Sequence, residues 1–388
     1  MVREKSLSLA EFLEAKPLYY NEIDYDRMPR AYASIKDKLK LPKIIHIVGT
    51  NGKGTTGRFL ANALWRSGYN VGHYTSPHIL RFNERIWFNG DAVADEVLEA
   101  AHERLTLLLD QHYLESLSYF EYTTLLAILI YETCDWVVLE AGLGGEHDAT
   151  NVFPKVLSIF TPIDFDHQAF LGSDIEAIAT TKLRSMGPKA IIGMQPHREV
   201  YLIYKELCEV CHTDGYVVQD ILQSADLETV ETVAKALFLP EYLQQNLMLG
   251  MAAMNLIGVQ PKAEYFSDAP LFGRLSRLSD NIWIDVGHNQ LAAAAIVRAL
   301  AGKKVILVYN SYKDKAYNQI LSVLKPIIAS VEIIDVPDER IEVRHKLEDA
   351  LKQNSIGYGT FSKIDKSKTY LVFGSFSVVE QFLKAYHA

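Results

Sequence analysis

The stretch that decides the fold is Lys43-Ile-Ile-His-Ile-Val-Gly-Thr-Asn-Gly-Lys-Gly-Thr-Thr56. Its first part, Ile44 to Val48, is short, apolar and rich in β-branched residues, which is typical of a buried parallel strand. Apolar side chains with helical spacing follow the stretch, and they predict a helix from about Arg58 to Trp65. The pattern therefore predicts a strand, a glycine-rich turn and a helix in direct succession.

The turn in this stretch has the composition of a phosphate-binding loop. Its glycines allow backbone N–H groups to converge on one anion at the positive end of the following helix. Lys53 can neutralise the outer phosphates of a nucleotide, and a threonine hydroxyl can bind Mg²⁺. The spacing departs from the strict motif, because only two residues separate Gly49 from Gly52 and a glycine follows the lysine, so a plain strand-to-helix connection is the alternative. The residues predicted to bind ATP in this turn are Gly49, Thr50, Asn51, Gly52, Lys53, Gly54, Thr55 and Thr56.

Length and composition limit the class of protein. The 388 residues suffice for two or three domains, and 49% hydrophobic with 22% charged residues describe a globular protein with ample core material. The formal net charge of −9 argues against a general nucleic-acid surface. Charged residues interrupt both the N-terminal segment, at Glu4 and Glu11, and the most apolar window, at Glu132 and Asp135. We therefore expect a cytoplasmic protein with no nucleic-acid or membrane partner.

Cysteine usage points the same way. Three cysteines cannot form a disulfide framework. Cys208-Glu-Val-Cys211 has the spacing of metal sites and redox pairs, but a zinc site needs a fourth ligand and usually a second paired cluster. The favoured interpretation is two cysteines on a helix over 199–211.

Polar or glycine-rich residues occur where four predicted strands end. In open parallel sheets, ligands bind beyond the carboxyl ends of the strands, so the series predicts a binding site along that edge. The segment from His78 to Asn89 has neither helical nor strand periodicity and is predicted to be a loop rich in ligand-type side chains. The four strand ends are Gly49, Thr75, Glu140 and Ile163.

The second half of the chain repeats the alternation of strands and helices. A turn-rich linker is predicted over 258–270, and beyond it the pattern indicates a second, smaller doubly wound domain. The predicted fold class is α/β, with an N-terminal phosphate-loop domain built on a doubly wound, mainly parallel sheet and a smaller C-terminal Rossmann-like domain. The predicted boundaries are 1–264 for the ATP-binding domain and 265–388 for the C-terminal domain.

Several motifs, in the same order along the chain, resemble those of the folylpolyglutamate and dihydrofolate synthases, a branch of the Mur ligase superfamily. The turn Gly49 to Thr55 resembles the family's modified phosphate loop, which explains its unusual spacing. Tyr74-Thr-Ser-Pro-His78 followed by Arg81-Phe-Asn-Glu-Arg-Ile86 resembles the next motif and is highly specific. The resemblance covers roughly residues 40 to 380. The further motifs are Leu139-Glu-Ala-Gly-Leu-Gly-Gly145, Asp148-Ala-Thr-Asn151, Asp166-His167, Leu171-Gly172, Gly273-Arg274 and Asp285 with Gly287-His-Asn289.

The resemblance implies a metal site and a modified lysine. Mg²⁺ would be held by Ser76, Glu140 and His167, which leaves room for water and phosphate oxygens. Lys182 matches the lysine that is carbamylated in the family, although the following residues, Leu183-Arg-Ser-Met, differ from the usual Ala-Gly-Ile. An ordinary helix lysine is the alternative. A second Mg²⁺ and a monovalent cation are also compatible with the resemblance.

The resemblance also implies contacts to ATP from later in the chain. Asn246, Arg274 and Asp285 match such contacts, and His288 is expected near the reacting centre. The implied catalytic residues are thus Lys53, Lys182 and His288. The motif Asp285-Val-Gly-His-Asn-Gln290 departs from the family's usual Asp-Gly-Ala-His-Asn-Pro, and the spacing of a glutamine before Asn246 is altered.

The candidates for binding the pterin-glutamate substrate are His78, Phe82, Arg85 and Phe120. An arginine can grip a carboxylate with two hydrogen bonds, and aromatic faces can stack on a flat heterocycle. Core packing is the alternative interpretation for both phenylalanines.

The implied function is an ATP-dependent ligase that adds L-glutamate to dihydropteroate or to the γ-carboxylate of folates through an acyl phosphate, in folate biosynthesis and one-carbon metabolism. The main interpretation is a bifunctional dihydrofolate synthase/folylpolyglutamate synthase, and the alternative is a monofunctional folylpolyglutamate synthase. A cell-wall amino-acid ligase of the same superfamily is disfavoured by the stretch Phe82 to Ile86. A nucleotide-binding switch is a further alternative. ATP and Mg²⁺ are the expected cofactors, the partners are small molecules, and a monomer is expected.

Overall fold

The computed structural model describes residues 7–17, 24–267, 269 and 271–387, so Asp268 and Pro270 of the predicted linker lie outside the described residues. The chain forms two compact units. Among the described helices, none is both long enough and apolar enough to cross a membrane. The first unit comprises Met1–Ser76, Phe82–Leu239 and Leu243–Ala269, and the second comprises Pro77–Arg81, Pro240–Tyr242 and Pro270–Ala388.

An eight-stranded sheet forms the centre of the first unit. Its strands are β1 (Lys43–Val48), β2 (Val71–Tyr74), β3 (Ile86–Phe88), β4 (Asp91–Ala92), β5 (Trp136–Glu140), β6 (Leu157–Phe160), β7 (Lys189–Ile192) and β8 (Asp214–Val217). They lie in the order β4-β3-β2-β5-β1-β6-β7-β8. The six neighbouring strands β2, β5, β1, β6, β7 and β8 pair in parallel. At one edge of the sheet, β3 pairs antiparallel with β2, and β4 pairs antiparallel with β3.

Helices surround this sheet. They are α1 (Leu9–Glu14), α2 (Arg27–Ile35), α3 (Lys53–Arg66), α4 (Asp95–Leu108), α5 (Gln111–Ser116), α6 (Tyr119–Ile130), α7 (Gln168–Leu171), α8 (Ile175–Leu183), α9 (Arg198–Val210), α10 (Val218–Ile221), α11 (Ser224–Leu237) and α12 (Glu241–Leu256). Short 3₁₀ helices occupy Lys36–Lys38, Phe82–Arg85, Tyr131–Thr133, Ala149–Val152 and Ala263–Phe266.

The apolar sequence of β1 explains its central place. Every residue of β1 after Lys43 is buried, which a strand achieves only when helices cover both faces of the sheet. Helix α6 supplies much of that cover, since its apolar residues belong to the same core cluster as Ile44. A capping box begins α6: the Ser118 hydroxyl accepts the N–H of Glu121, and the Glu121 carboxylate accepts the N–H of Ser118. Arg27 of α2 pairs with the same carboxylate at 2.9 Å, which ties α2 to the start of α6.

The second unit contains its own six-stranded sheet. The strands are β9 (Ser276–Ser279), β10 (Ile282–Ile284), β11 (Val305–Tyr309), β12 (Ile328–Ile333), β13 (Tyr358–Thr360) and β14 (Tyr370–Phe373). Their order is β13-β12-β11-β14-β10-β9, parallel except for β9. The helices are α13 (Gln290–Ala299), α14 (Tyr317–Leu324), α15 (Arg344–Gln353) and α16 (Phe376–His387), with a 3₁₀ turn at Lys325–Ile327.

The predicted fold class is confirmed, and the differences lie at the edges of the sheets. The segment predicted to be a loop over 78–89 contains a 3₁₀ helix and the short strand β3. Four further edge strands, β4, β8, β9 and β13, were not predicted. None of these four strands contains a fully buried residue, so they lack the apolar period that identifies a strand in sequence.

Candidate active site

The carboxyl ends of the four strands singled out in the sequence lie side by side. β2, β5, β1 and β6 are consecutive and parallel, so their carboxyl ends share one edge of the sheet. The last of them ends at Phe160 rather than at Ile163. The predicted alignment is present, and it gathers polar side chains and glycine turns at one place.

The glycine-rich turn after β1 is held from two sides. Gly52 has the left-handed φ of 87°, and a Cβ there would come within 2.5 Å of the amide oxygen of Asn246. A larger residue is therefore opposed by both the backbone conformation and a close neighbour. On the other side, the carbonyl of Pro162 accepts the N–H groups of Thr50 at 2.9 Å and Asn51 at 3.3 Å. Asn246 thus lies against the predicted phosphate loop.

Lys53 begins helix α3 and reaches across the turn. Its ammonium donates to the carbonyl of Gly49 at 3.2 Å and lies 3.9 Å from a carboxylate oxygen of Glu140. Lys53, predicted to neutralise the outer phosphates, and Glu140, predicted to bind the metal, are therefore neighbours. The next hydroxyl residues of the loop, Thr55 and Thr56, are buried in the first turns of α3.

Glu140 ends β5 with a buried side chain. One of its oxygens accepts a short hydrogen bond from the hydroxyl of Thr75 and another from the N–H of Ser76 at 3.3 Å. The structure thus brings two predicted metal ligands, Ser76 and Glu140, into contact at the edge of the sheet. The third, His167, precedes α7 with a left-handed φ of 50°, and its imidazole faces the carboxylate of Asp166 at 3.8 Å.

The donor set fits a hard cation. Carboxylate and hydroxyl oxygens are ligands that Mg²⁺ prefers. Among the described residues, no group of three or more His, Cys, Asp or Glu side chains is arranged to hold a metal. Cys208 lies in the last turn of helix α9, and Cys211 directly follows that helix.

Lys182 is buried near the same turn. Its ammonium donates to the carbonyl of Gly49 at 3.1 Å. Burial, together with the positive charge of Lys53, lowers the pKa of Lys182 to about 7. Gly145 packs directly against it, because a Cβ at that position would lie within 3.0 Å of the Lys182 backbone. A lysine whose side chain is partly uncharged at neutral pH therefore lies beside the phosphate loop.

An aromatic and basic cluster lies at the end of β2. Phe120 stacks on Tyr74 with ring centroids 5.8 Å apart. The guanidinium of Arg85 lies over the ring of Tyr119 at 5.2 Å and over that of Phe82 at 6.0 Å. The carbonyl of Arg85 also accepts the N–H of Thr75 at 2.9 Å, which ties the cluster to the strand end. Three of the four predicted substrate residues, Phe82, Arg85 and Phe120, thus belong to the first unit, whereas His78 belongs to the second.

In the second unit, Asp285 organises the turn after β10. Its carboxylate accepts the N–H groups of Gly287 at 2.7 Å and Leu275 at 2.8 Å and the hydroxyl of Tyr242 at 3.3 Å. Burial raises the pKa of Asp285, and the nearby Arg274 guanidinium opposes that shift. Asp285 therefore acts as a structural acceptor for its own turn.

Arg274 and His288 flank this turn. The guanidinium of Arg274 lies over the ring of Phe376 at 5.5 Å, and a ring nitrogen of His288 lies 3.2 Å from the carbonyl of Val286. The three residues predicted from the second unit, Arg274, Asp285 and His288, therefore occupy the loops around the end of β10.

Comparison with known proteins identifies the family. No family model matches the chain. A dihydrofolate synthase/folylpolyglutamate synthase of Haemophilus influenzae is 32% identical, over 97% of this chain and 95% of that protein. This chain belongs to the dihydrofolate synthase/folylpolyglutamate synthase family. The resemblance drawn from the motifs is therefore confirmed.

Solved structures of this family share the fold. The folylpolyglutamate synthetase of Helicobacter pylori is 39% identical, with 98% of each chain covered and a TM-score of 0.77. The bifunctional folylpolyglutamate synthase/dihydrofolate synthase of Yersinia pestis, solved with AMPPNP and a Mn ion, reaches a TM-score of 0.81 over 99% of each chain. At 24% identity, that second likeness concerns the fold alone.

The structure of this family member adds residues that its sequence did not single out. Tyr119 contacts Arg85. In the sequence, only its position next to Phe120 could have suggested a role for Tyr119 in the site. Tyr242 bonds to Asp285 from a distant helix. Gln195 bonds to the segment after β6, and no motif marked it. These contacts join residues far apart in the chain, so spacing could not reveal them.

Proposed function

We propose that this chain is a bifunctional dihydrofolate synthase/folylpolyglutamate synthase that joins L-glutamate to dihydropteroate and to the γ-carboxylate of folates. The family membership confirms the predicted ATP-dependent ligase of folate metabolism. ATP and a divalent cation are proposed as its cofactors. The observation that carries the proposal is the contact chain at the strand ends, in which Lys53 faces Glu140 and Glu140 accepts from Ser76.

The reaction divides into two steps. A carboxylate oxygen of the pterin substrate attacks the γ-phosphorus of ATP, which forms an acyl phosphate and releases ADP. The amine of glutamate then attacks the acyl carbon, the C–O bond to phosphate breaks, and the nitrogen loses a proton. Phosphoryl transfer of this kind depends mainly on positioning and on neutralising the phosphate charge.

Lys53 is the residue proposed to neutralise the outer phosphates. Its side chain is only 16% exposed, and its ammonium donates to the carbonyl of Gly49, so its charge is held at the loop. The N–H groups at the start of α3 add partial positive charge at the same place. Backbone and side chain therefore act on one anion.

Ser76, Glu140 and His167 are proposed to hold the divalent cation. When bound, the ion would withdraw electron density from the β- and γ-phosphate oxygens. The buried carboxylate of Glu140 is the charged member of the set, and its contact with Thr75 orients it before any ion binds. Preorganised ligands of this kind avoid the cost of rearrangement during catalysis.

Phe82, Arg85 and Phe120 are proposed to bind the pterin substrate. Arg85 lies over the rings of Phe82 and Tyr119, which hold its guanidinium in place, and a guanidinium can bind a carboxylate with two hydrogen bonds. Phe120, which stacks on the buried ring of Tyr74, is proposed to offer a flat apolar face. His78 is proposed for the same substrate.

Lys182 is proposed to carry a carbamate. The reaction joins a neutral amine to CO₂ and releases one proton, so it needs the unprotonated lysine. A pKa lowered to about 7 supplies that form at neutral pH, whereas an exposed lysine would be almost entirely charged. Asn246, Arg274, Asp285 and His288 complete the set proposed for ATP and the reacting centre.

A product assay tests the proposal. The purified chain is offered ATP, Mg²⁺ and glutamate with either dihydropteroate or tetrahydrofolate, and the products are separated by mass. We expect glutamate to be added to both acceptors. Addition to tetrahydrofolate alone would establish a monofunctional folylpolyglutamate synthase, and addition to neither would refute the proposal.

The predicted domain roles and cellular location remain proposals. We assign ATP binding mainly to residues 1–264 and glutamate ligation to residues 265–388. The chain is proposed to act as a cytoplasmic monomer. Its three free cysteines, Cys134, Cys208 and Cys211, suit a reducing compartment. Light scattering after size exclusion measures the mass, and a dimer would contradict the proposed monomer.

A further inference from the structure

Gln195, in the loop after β7, makes a set of bonds that no part of the proposed mechanism uses. Its amide oxygen accepts the N–H of Ile163 at 2.9 Å. Its amide nitrogen donates to the carbonyls of Thr161 and Gly193, each at 3.2 Å. The hydroxyl of Tyr201, on α9, accepts the N–H of Gln195 at 2.9 Å. One side chain thus satisfies three backbone groups, and its own backbone is anchored to a helix.

Two of those backbone groups belong to the segment 161–164, which directly follows β6. The other side of this segment faces the phosphate loop. The carbonyl of Pro162 accepts the N–H groups of Thr50 and Asn51. The hydroxyl of Thr50 donates to the carbonyl of Asp164 at 3.0 Å and accepts its N–H at 3.1 Å. The segment 161–164 is therefore bonded to Gln195 on one side and to the phosphate loop on the other.

We infer that Gln195 is a positioning residue for the nucleotide. Its amide fixes the segment 161–164, and that segment fixes the turn that holds the phosphates. Within the part of the chain that the structure describes, Gln195 reaches the loop only through this segment, and it has no bond to the aromatic cluster that is proposed to bind the pterin substrate. Its effect is therefore confined to nucleotide affinity. The inference rests on the proposed function for the identity of the ligand in the loop.

The chemistry of the amide makes the inference testable. Gln195→Glu keeps the shape and the oxygen that accepts from Ile163, but it replaces the donor with a carboxylate oxygen facing two carbonyl oxygens. A carboxylate oxygen that faces only carbonyl oxygens in a half-buried place is unfavourable, so the segment must shift. Gln195→Met removes the hydrogen bonds without adding charge and keeps similar length.

Asn281, in the second unit, is a matched control. Its amide nitrogen also donates to two backbone carbonyls, those of Lys368 at 2.8 Å and Asp365 at 3.5 Å. Asn281→Asp therefore makes the same chemical change in a turn that has no part in the proposed site. Dissociation constants for ADP are measured by calorimetry on all variants, together with KM for ATP and KM for tetrahydrofolate.

We expect Gln195→Glu to weaken ADP binding and raise KM for ATP by about tenfold, with a smaller change for Gln195→Met. KM for tetrahydrofolate should stay within about twofold, and Asn281→Asp should leave all three constants unchanged. Equal ADP affinity in wild type and both Gln195 variants would overturn the inference, as would a parallel rise in both KM values. If the wild type binds ADP but adds no glutamate, the proposed function fails, and the ADP constants still decide the role of Gln195.

Discussion

Two strand-to-helix turns, one in each unit, have the same architecture and opposite chemistry. The turn after β1 ends in Gly52, which has no side chain to cap α3, and Lys53 follows it. The turn after β10 ends in Asn289, whose side-chain oxygen accepts the N–H of Ala292 at 2.9 Å and caps α13. Asp285 takes a further N–H, from Gly287, at 2.7 Å.

The comparison shows how one supersecondary unit serves two purposes. In the second turn, the amide oxygen of Asn289 satisfies a free N–H group at the start of the helix, and Asp285 accepts an N–H group of the turn. In the first turn, the residue before the helix is a glycine without a side chain, and a lysine adds positive charge. The start of α3 is therefore suited to an external anion, whereas the start of α13 is capped by the chain itself.

Removing the positive charge of the turn after β1 is expected to have the largest effect on activity. Lys53→Ala leaves the phosphates without their nearest cation, so we expect the rate of glutamate addition at saturating ATP to fall by about a thousandfold. The measurement is product formation, with circular dichroism to confirm the fold. A rate near that of wild type would remove Lys53 from the mechanism.

Neutralising the carboxylate opposite that lysine has the next largest effect. Glu140→Gln keeps the shape but removes the charge proposed to bind the cation, and we expect the Mg²⁺ concentration for half-maximal rate to rise by about 10- to 100-fold. Titration of Mg²⁺ at fixed ATP measures this change. An unchanged titration curve would exclude Glu140 as a metal ligand.

Adding one methyl group at Gly52 tests whether the close packing of the turn after β1 matters beyond the backbone strain of a left-handed residue. Gly52→Ala must adopt a φ of 87° and approach Asn246, so we expect a loss of about 1–2 kcal/mol in stability and about a tenfold rise in KM for ATP. Gly302→Ala is the control, since it has a φ of 80° with nothing within 4 Å of the added Cβ. Unfolding by urea and steady-state kinetics compare the two. A rise in KM of equal size in both would show that strain alone, not the turn, is responsible.

Burial of Lys182 makes the stability of the fold depend on pH. Lys182 has a pKa of about 7 when folded, and an unfolded lysine titrates near 10.4, so between these values only the unfolded state holds the proton. Stability from this group is therefore lost as pH falls through that window and gained as pH rises, by up to about 1.4 kcal/mol per pH unit.

Lys182→Met should remove this slope. The measurement is the free energy of unfolding by urea at several pH values on both sides of 7 and up to 10, in buffer freed of CO₂ so that no carbamate forms. Below pH 7 the curves for wild type and variant should run parallel, since both states then hold the proton. Parallel curves across the whole range would show that Lys182 titrates normally.

The sequence determined the fold through its buried strands and their ends. The apolar stretch Ile44 to Val48 could only be a central strand, because both faces of a parallel sheet are covered by helices. The order of motifs along the chain identified the family. The edge strands β8, β9 and β13 could not be predicted, because an exposed edge needs no apolar period.

Only the tertiary structure decided which side chains act together. It set Lys53 beside Glu140, placed Tyr119 under Arg85, and connected Gln195 to the phosphate loop through the segment 161–164. The pKa of Lys182 is likewise a tertiary property, since burial and the charge of Lys53 both come from distant parts of the chain. Periodicity reports which face of an element is buried, whereas hydrogen bonds and charges depend on distances that arise only when the elements pack.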